Sequence, residues 1–284
     1  MLAEKSEDVL EEIPVMRIQP SRGWKMVDLR ELWQHRDLLF YLAWRDIRVV
    51  YSNTGLGILW VILQPLATAL IITIVFGMFA RIPSDNLPYA VLALSGLVLY
   101  NYFSITVSQA AYSMVNSAYL LTKVYFPRLI IPAVPILTGL VDFTVLLTVL
   151  LVLTLFFGIL PTVAWIFLPV PILLNIALAL GIGLWVSALN IQIRDLGKFI
   201  PVLLQIGIYA SPVFYPSSLV PEYLRGLYSL NPLVGIIDGL RWSLFGVGSF
   251  PGTSLMISAM VAFSLIVSGA FVFRKIEDNA ADVI

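Results

Sequence analysis

Charged residues fall in clusters along this chain, and the uncharged intervals between them have the lengths of membrane helices. Residues 49–80 run 32 positions without a charge, 86–122 run 37, 143–193 run 51, 199–221 run 23 and 242–273 run 32. A spanning helix takes about 20 apolar residues. The 51-residue interval therefore holds parts of two spans, with Gly158-Ile159-Leu160-Pro161 as the hairpin between them. The pattern predicts six spans, at 57–79, 88–110, 132–157, 163–188, 199–215 and 253–273. The fold class is an all-α polytopic membrane protein.

Three segments outside the spans carry further pattern. In 28–51, Leu29, Leu32, Trp33, Phe40, Ala43, Trp44, Ile47 and Tyr51 recur at helical spacing with charges on the other face. Asp28 and Glu31 have capping-box spacing for its start. A charged amphipathic helix bearing tryptophans lies in the membrane interface, as an anchor or as a gate. In 112–128, a polar background carries Met114, Tyr119, Leu120, Leu121, Val124, Tyr125 and Phe126, and Pro127 stops a helix. That is either a helix offered to a protein partner or a loop helix resting on headgroups. In 215–252, prolines and a run too short to cross a bilayer predict two short helices that enter the outer leaflet and return. Glu222/Arg225 and Asp238/Arg241 are spaced to pair on helical faces. Backbone of this kind is tolerated at membrane depth only beside protein or a water-filled cavity.

Composition agrees with this frame. Hydrophobic residues make up 60% of the 284 positions and charged residues 12%, with a mean hydropathy of +0.93. Soluble domains carry about 25% charged residues, so a soluble globular chain is excluded. The charges also orient the chain. With both termini cytoplasmic, 14 of the 17 basic residues lie inside, leaving only Arg81, Arg225 and Arg241 outside. Residues 1–27 read as an acidic cytoplasmic extension with no apolar signal region, followed by the interfacial helix 28–51 and a six-span domain, 52–284.

The available chemistry is narrow. Without cysteine, thiol catalysis and Cys-based metal sites are excluded, and His35 as the single histidine argues against a histidine-based metal centre. Gly55-Leu56-Gly57 lacks the lysine and cradle of a phosphate loop, so an ATP-driven process needs a separate ATPase chain. Asp142 is the one ionisable side chain deep in a span, a functional candidate that backbone or hydroxyl partners such as Thr138 and Thr144 would equally explain. Tyr89, Tyr100, Tyr102, Phe103 and Tyr112 run through the second span with Asn101, Ser104, Thr106, Ser108 and Gln109. Rings beside hydroxyls and amides suit a carbohydrate path; the alternative is packing between helices.

Several stretches resemble one family. Residues 44–60 (WRDIRVVYSNTGLGILW) with Gln64-Pro65 resemble the approach to the first span in ABC-2 type permeases, in particular bacterial polysaccharide and O-antigen exporters. Residues 121–128 (LTKVYFPR) are similar to that family's coupling segment, Arg194-Asp195-Leu196-Gly197 to its loop after the fourth span, and 209–215 (YASPVFY) with Asn231-Pro232 to its outer gate. The ending FRKIE at 273–277, then ADVI at 281–284, matches the family's C-terminus. The set covers the chain from about residue 25.

The resemblance implies a homodimer with two ABC ATPase subunits on the cytoplasmic face of the bacterial inner membrane. It implies outward movement of lipid-linked glycan, such as O-antigen for lipopolysaccharide, through a channel between the protomers. The chain itself would be no enzyme and hold no cofactor, ATP and magnesium being bound by the partner. Tyr119, Lys123, Tyr125, Phe126 and Arg128 would then be ATPase contacts, and Arg36, Arg45 and Arg48 would meet a lipid pyrophosphate on a gate helix. Tyr100, Tyr102, Phe103 and Tyr112 would line the glycan path, and Glu222, Arg225, Asp238 and Arg241 would form an outer gate. The competing readings are a permease of the same fold for teichoic acid, capsular polysaccharide, a drug or a lipid, an ion-driven secondary transporter, and a membrane enzyme using Asp142.

Overall fold

The computed structural model describes residues 29–52, 57, 59–124 and 126–280. Among them the secondary structure is helical and contains no strand. A short helix α1 (Leu29–Gln34) turns at His35 into α2 (Arg36–Ser52). The sequence expected one continuous helix here. The break is a turn in which the His35 carbonyl accepts from the amides of Leu38 and Leu39, at 3.1 and 3.3 Å. Asp28 of the expected capping box lies outside the described residues.

Among the described residues, five helices are long and apolar enough to cross a membrane. The first is α3 (Leu59–Ile72), which widens into a π-helical stretch, Thr73–Phe79. Next are α4 (Tyr89–Asn116), a short α5 (Ala118–Lys123) and α6 (Ile130–Phe156). The expected hairpin follows at residues 157–162 with Gly158 at φ +75°. A 3-10 turn, Val163–Phe167, then leads into α7 (Pro169–Gln192), with proline in its first turn where a missing N–H costs nothing.

The fifth expected span takes a different form. It is a 12-residue helix, α8 (Leu196–Gly207), followed by irregular turns to Tyr215. Twelve residues of helix rise only about 18 Å. Yet the segment tracks α4 along nearly its full length. Gly197 packs on Tyr112, the Tyr100 hydroxyl donates to the Leu204 carbonyl, Val213 meets Gly96, and the Tyr89 hydroxyl donates to the Phe214 carbonyl. Phenol side chains of α4 thus satisfy carbonyls of the neighbouring segment, as buried polar backbone requires.

Two short helices follow, as expected, α9 (Glu222–Tyr228) and α10 (Pro232–Phe245). The Asn231 side chain caps α10 by accepting from the Leu233 amide at 3.1 Å, Pro232 opens it, and Gly246 ends it at φ +64°. The last helix is α11 (Gly252–Ala280), which packs along α7.

The centre of the fold is α4. In its most apolar stretch 78% of residues are buried within the chain, against 17–22% in the other four long helices. Those four present large apolar side chains outward, such as Phe79, Phe156 and Phe263. Lipid tails are as apolar as these side chains, so a membrane protein gains little by hiding them. What α4 buries instead is close contact with α6, α7 and the 196–214 segment.

Candidate functional site

The α2 helix packs on α6, and a cavity of about 570 Å³ lies where α2, α4 and α6 meet. From α4 the lining includes Ser108, Gln109, Tyr112, Ser113 and Asn116, positions that share one helical face, with Ser117 just past its end. From α6 come Thr138, Gly139 and Asp142, and from α2 Arg45, Asp46 and Tyr51. The Tyr51 hydroxyl donates to Asp142 Oδ1, joining the last turn of α2 to the carboxylate that stood alone in the sequence. Burial first, then the hydrogen bond and charge of Asp142, push the Tyr51 phenol above its ordinary range. It remains a proton donor.

The three arginines of the expected gate helix sit on the exposed side of α2. Arg45 is paired with Asp46 at 2.8 Å, and Arg36 lies 3.8 Å from Asp37. Arg36 and Arg48 also lie over the Trp33 and Trp44 rings, at 4.9 and 5.8 Å from their centroids. Exposed contacts of this kind are worth about 0.5–1 kcal/mol. They hold the guanidinium groups beside neighbouring side chains of α1 and α2.

In the expected coupling segment, α4 continues to Asn116, so Tyr112 belongs to the long helix and the short helix begins at Ala118. Tyr119 and Lys123 stand on the surface, with the Lys123 ammonium 5.8 Å from the Tyr119 ring. Arg128 is partly buried, and Tyr125 lies outside the described residues. Phe126 departs from the expectation of a partner contact. It is buried against a cluster that includes Leu42, Met114, Ile130, Ile131 and Phe273. Its ring fastens this segment to the bundle, because an apolar side chain gains most where α2, α6 and α11 converge.

The expected glycan-path aromatics divide. Tyr100, Tyr102 and Phe103 are buried inside the single chain. The Tyr100 hydroxyl is taken by the Leu204 carbonyl and the Tyr102 hydroxyl by the Ile136 carbonyl. Tyr102 also packs on the Phe143 ring at 5.3 Å. These contacts match the packing alternative weighed from the sequence. Tyr112 alone of the four lines the cavity.

In α9, Glu222 and Arg225 form the expected pair at 3.7 Å, on the surface. Asp238 and Arg241 depart from the expected pairing: no carboxylate among the described residues forms an ion pair with Arg241. Its guanidinium turns inward and donates to the Leu92 carbonyl at 3.0 Å, the Ser95 hydroxyl at 3.1 Å, the Val213 carbonyl at 3.2 Å and the Tyr215 carbonyl at 3.3 Å. Planar fork geometry suits such a cage of oxygens. Asp238 acts on it only at longer range. Burial raises the Asp238 carboxyl above its ordinary range, while the Arg241 charge and the Ser217 hydroxyl oppose the rise.

Sequence reasoning passed over the Tyr51–Asp142 bond and the two buried asparagines of α7. Asn175 donates to the Leu99 carbonyl at 3.1 Å, and Asn190 donates to the Ala111 carbonyl at 2.8 Å while accepting from the Gly197 amide at 2.7 Å. Isolated amides inside an apolar span were the available signal.

Comparison with known proteins places this architecture. Residues 37–245 match the ABC-2 type transporter family. An O-antigen export system permease protein, RfbA, from Myxococcus xanthus is 30% identical over 259 residues, covering 90% of this chain and 98% of that protein. RfbA of Klebsiella pneumoniae is 27% identical, over 87% of this chain and 95% of its own length. The polysialic acid transport protein KpsM of Escherichia coli is 25% identical over 82% and 91%. With five long apolar helices, a central buried α4 and a family match across most of its length, the chain belongs to the ABC-2 type transporter family of membrane permeases.

Proposed function

We propose that this chain is the membrane subunit of an exporter that moves a lipid-linked polysaccharide of the O-antigen kind from the cytoplasm to the outer side of the inner membrane. The observation that carries the reading is similarity over 90% of this chain and 98% of the length of an O-antigen export permease. Two copies of the chain form the passage between them, and two ATPase subunits supply the energy. Both termini face the cytoplasm, as the distribution of basic residues favours. The 196–214 segment is then the remaining crossing, supported by its course beside α4 from Tyr112 to Tyr89. The α9 and α10 helices lie at the outer exit.

The similarity to a polysialic acid transporter keeps capsular polysaccharide as a second cargo of the same chemical class. Deleting the gene and staining the cell surface for each polymer separates them. Loss of surface O-antigen, with polymer accumulating inside and restored by the gene on a plasmid, is the expected result. Unchanged surface polymer of every kind would overturn the reading.

In this reading α5 is where the ATPase docks. Lys123→Glu combined with Tyr125→Ala is expected to reduce the ATPase recovered with the purified permease by about tenfold, the scale of one interface hot spot. The permease itself should elute unchanged on size exclusion. Full recovery of the ATPase would move the docking surface elsewhere.

A further inference from the structure

The polar face of α4 is the least explained part of the helix. Its other faces bury apolar contacts, but Gln109 and Asn116 present side-chain amides with no hydrogen-bond partner among the described residues. Amides on a helix read as spanning are costly against lipid and settle where water or a ligand meets them. Both line the cavity under α2, together with Ser108 and Tyr112. Opposite stands Asp142, one oxygen of which accepts from Tyr51 while the other has no partner among the described residues.

The charges narrow the ligand. One cation, Arg45, lines the cavity against two carboxylates, Asp46 and Asp142, and Arg45 is already paired with Asp46. An uncompensated carboxylate repels phosphate. Hydroxyls suit the lining better, because the amides both donate and accept while the carboxylate accepts strongly. The volume lies within the range of small-molecule sites.

We propose that this cavity is a carbohydrate-binding site in which Gln109, Asn116 and Asp142 bind sugar hydroxyls beneath α2. The inference rests on the export reading and adds a place where the glycan is held on the cytoplasmic side. The Tyr51–Asp142 bond fixes the end of α2 over the occupied cavity.

Photo-crosslinking in cells that carry the complete transporter tests it. A benzophenone amino acid replaces Ile105, which lines the cavity, or Ile166, which faces outward at the far end of the bundle. Glycan is expected on the permease from position 105 and not from position 166, and none in a strain unable to begin glycan synthesis. Gln109→Leu should lower the crosslinked glycan by about tenfold, the scale of a lost hydrogen bond in such a site, with the amount of assembled transporter unchanged. Normal glycan export with no crosslink at position 105 would overturn the site and leave the export reading intact. A crosslink at 105 that persists without glycan synthesis would assign the cavity to a membrane lipid and overturn the proposal. Absence of glycan export by the wild-type complex would overturn the export reading and the site with it.

Discussion

Arg241→Ala is expected to prevent accumulation of stable permease, or to lower its melting temperature in detergent by roughly 10 °C. The substitution takes the guanidinium donor from the carbonyls of Val213 and Tyr215, while the Leu92 carbonyl keeps the Ser95 hydroxyl, which donates to it at 2.7 Å. Each buried polar group left without a partner costs about 1–3 kcal/mol. Together they amount to a large part of the 5–15 kcal/mol that separates a folded domain from its unfolded chain. Arg241→Lys should rescue little, since an ammonium on a single stem cannot serve four oxygens spread across a fork. Arg225→Ala is the contrast. Its ion pair and its bonds to the Val220 and Ser218 carbonyls are exposed, so a loss below about 1 kcal/mol is expected. Thermal melts of the three variants read the difference directly, and equal melts for Arg241→Ala and wild type would refute the cage.

Gly96→Ala is expected to have the next largest effect. A Cβ there would stand 2.7 Å from the Cα of Val213 and 2.8 Å from its carbonyl oxygen. Both are backbone atoms, and the same carbonyl is held by Arg241, so the segment has no cheap way to retreat. Overpacking of this kind costs about 1–3 kcal/mol and here separates two membrane segments along their contact. Gly226→Ala serves as the opposite case. Gly226 lies within α9 with no heavy atom within 4 Å of an added Cβ, so alanine should be neutral or stabilise by up to about 1 kcal/mol. Fluorescence-detected size exclusion and melting of both variants distinguish the effects. A well-behaved Gly96→Ala permease would show that α4 and the 213 turn are not in contact.

Much of the fold was legible because charge and chain length speak directly to membrane spans. The ends of α6, the hairpin with Gly158 and the opening of α10 at Asn231-Pro232 all follow from local chemistry. The form of the 196–214 segment was not legible, since a hydropathy pattern cannot tell a helix from turns whose carbonyls are answered by Tyr89 and Arg241 over a hundred residues or nearly thirty away. Arg241 and Asp238 three apart suggested a local pair. The oxygens that hold Arg241 come from α4 and from the 213–215 turn, which no spacing rule contains. The second-span aromatics were read as one group, but only the three-dimensional face decides that Tyr102 packs on Phe143 while Tyr112 meets a cavity.

The continuity of α5 with α4 has a mechanical consequence. A single residue, Ser117, separates the two helices, and α4 then runs unbroken from Asn116 for about 36 Å to the Leu92 carbonyl gripped by Arg241. A push on α5 therefore travels along a stiff strut and arrives at the α10 end of the bundle. The parallel route through 196–214 ends in turns, which bend under load. A load at the α5 end thus reaches the Arg241 cage through unbroken helix.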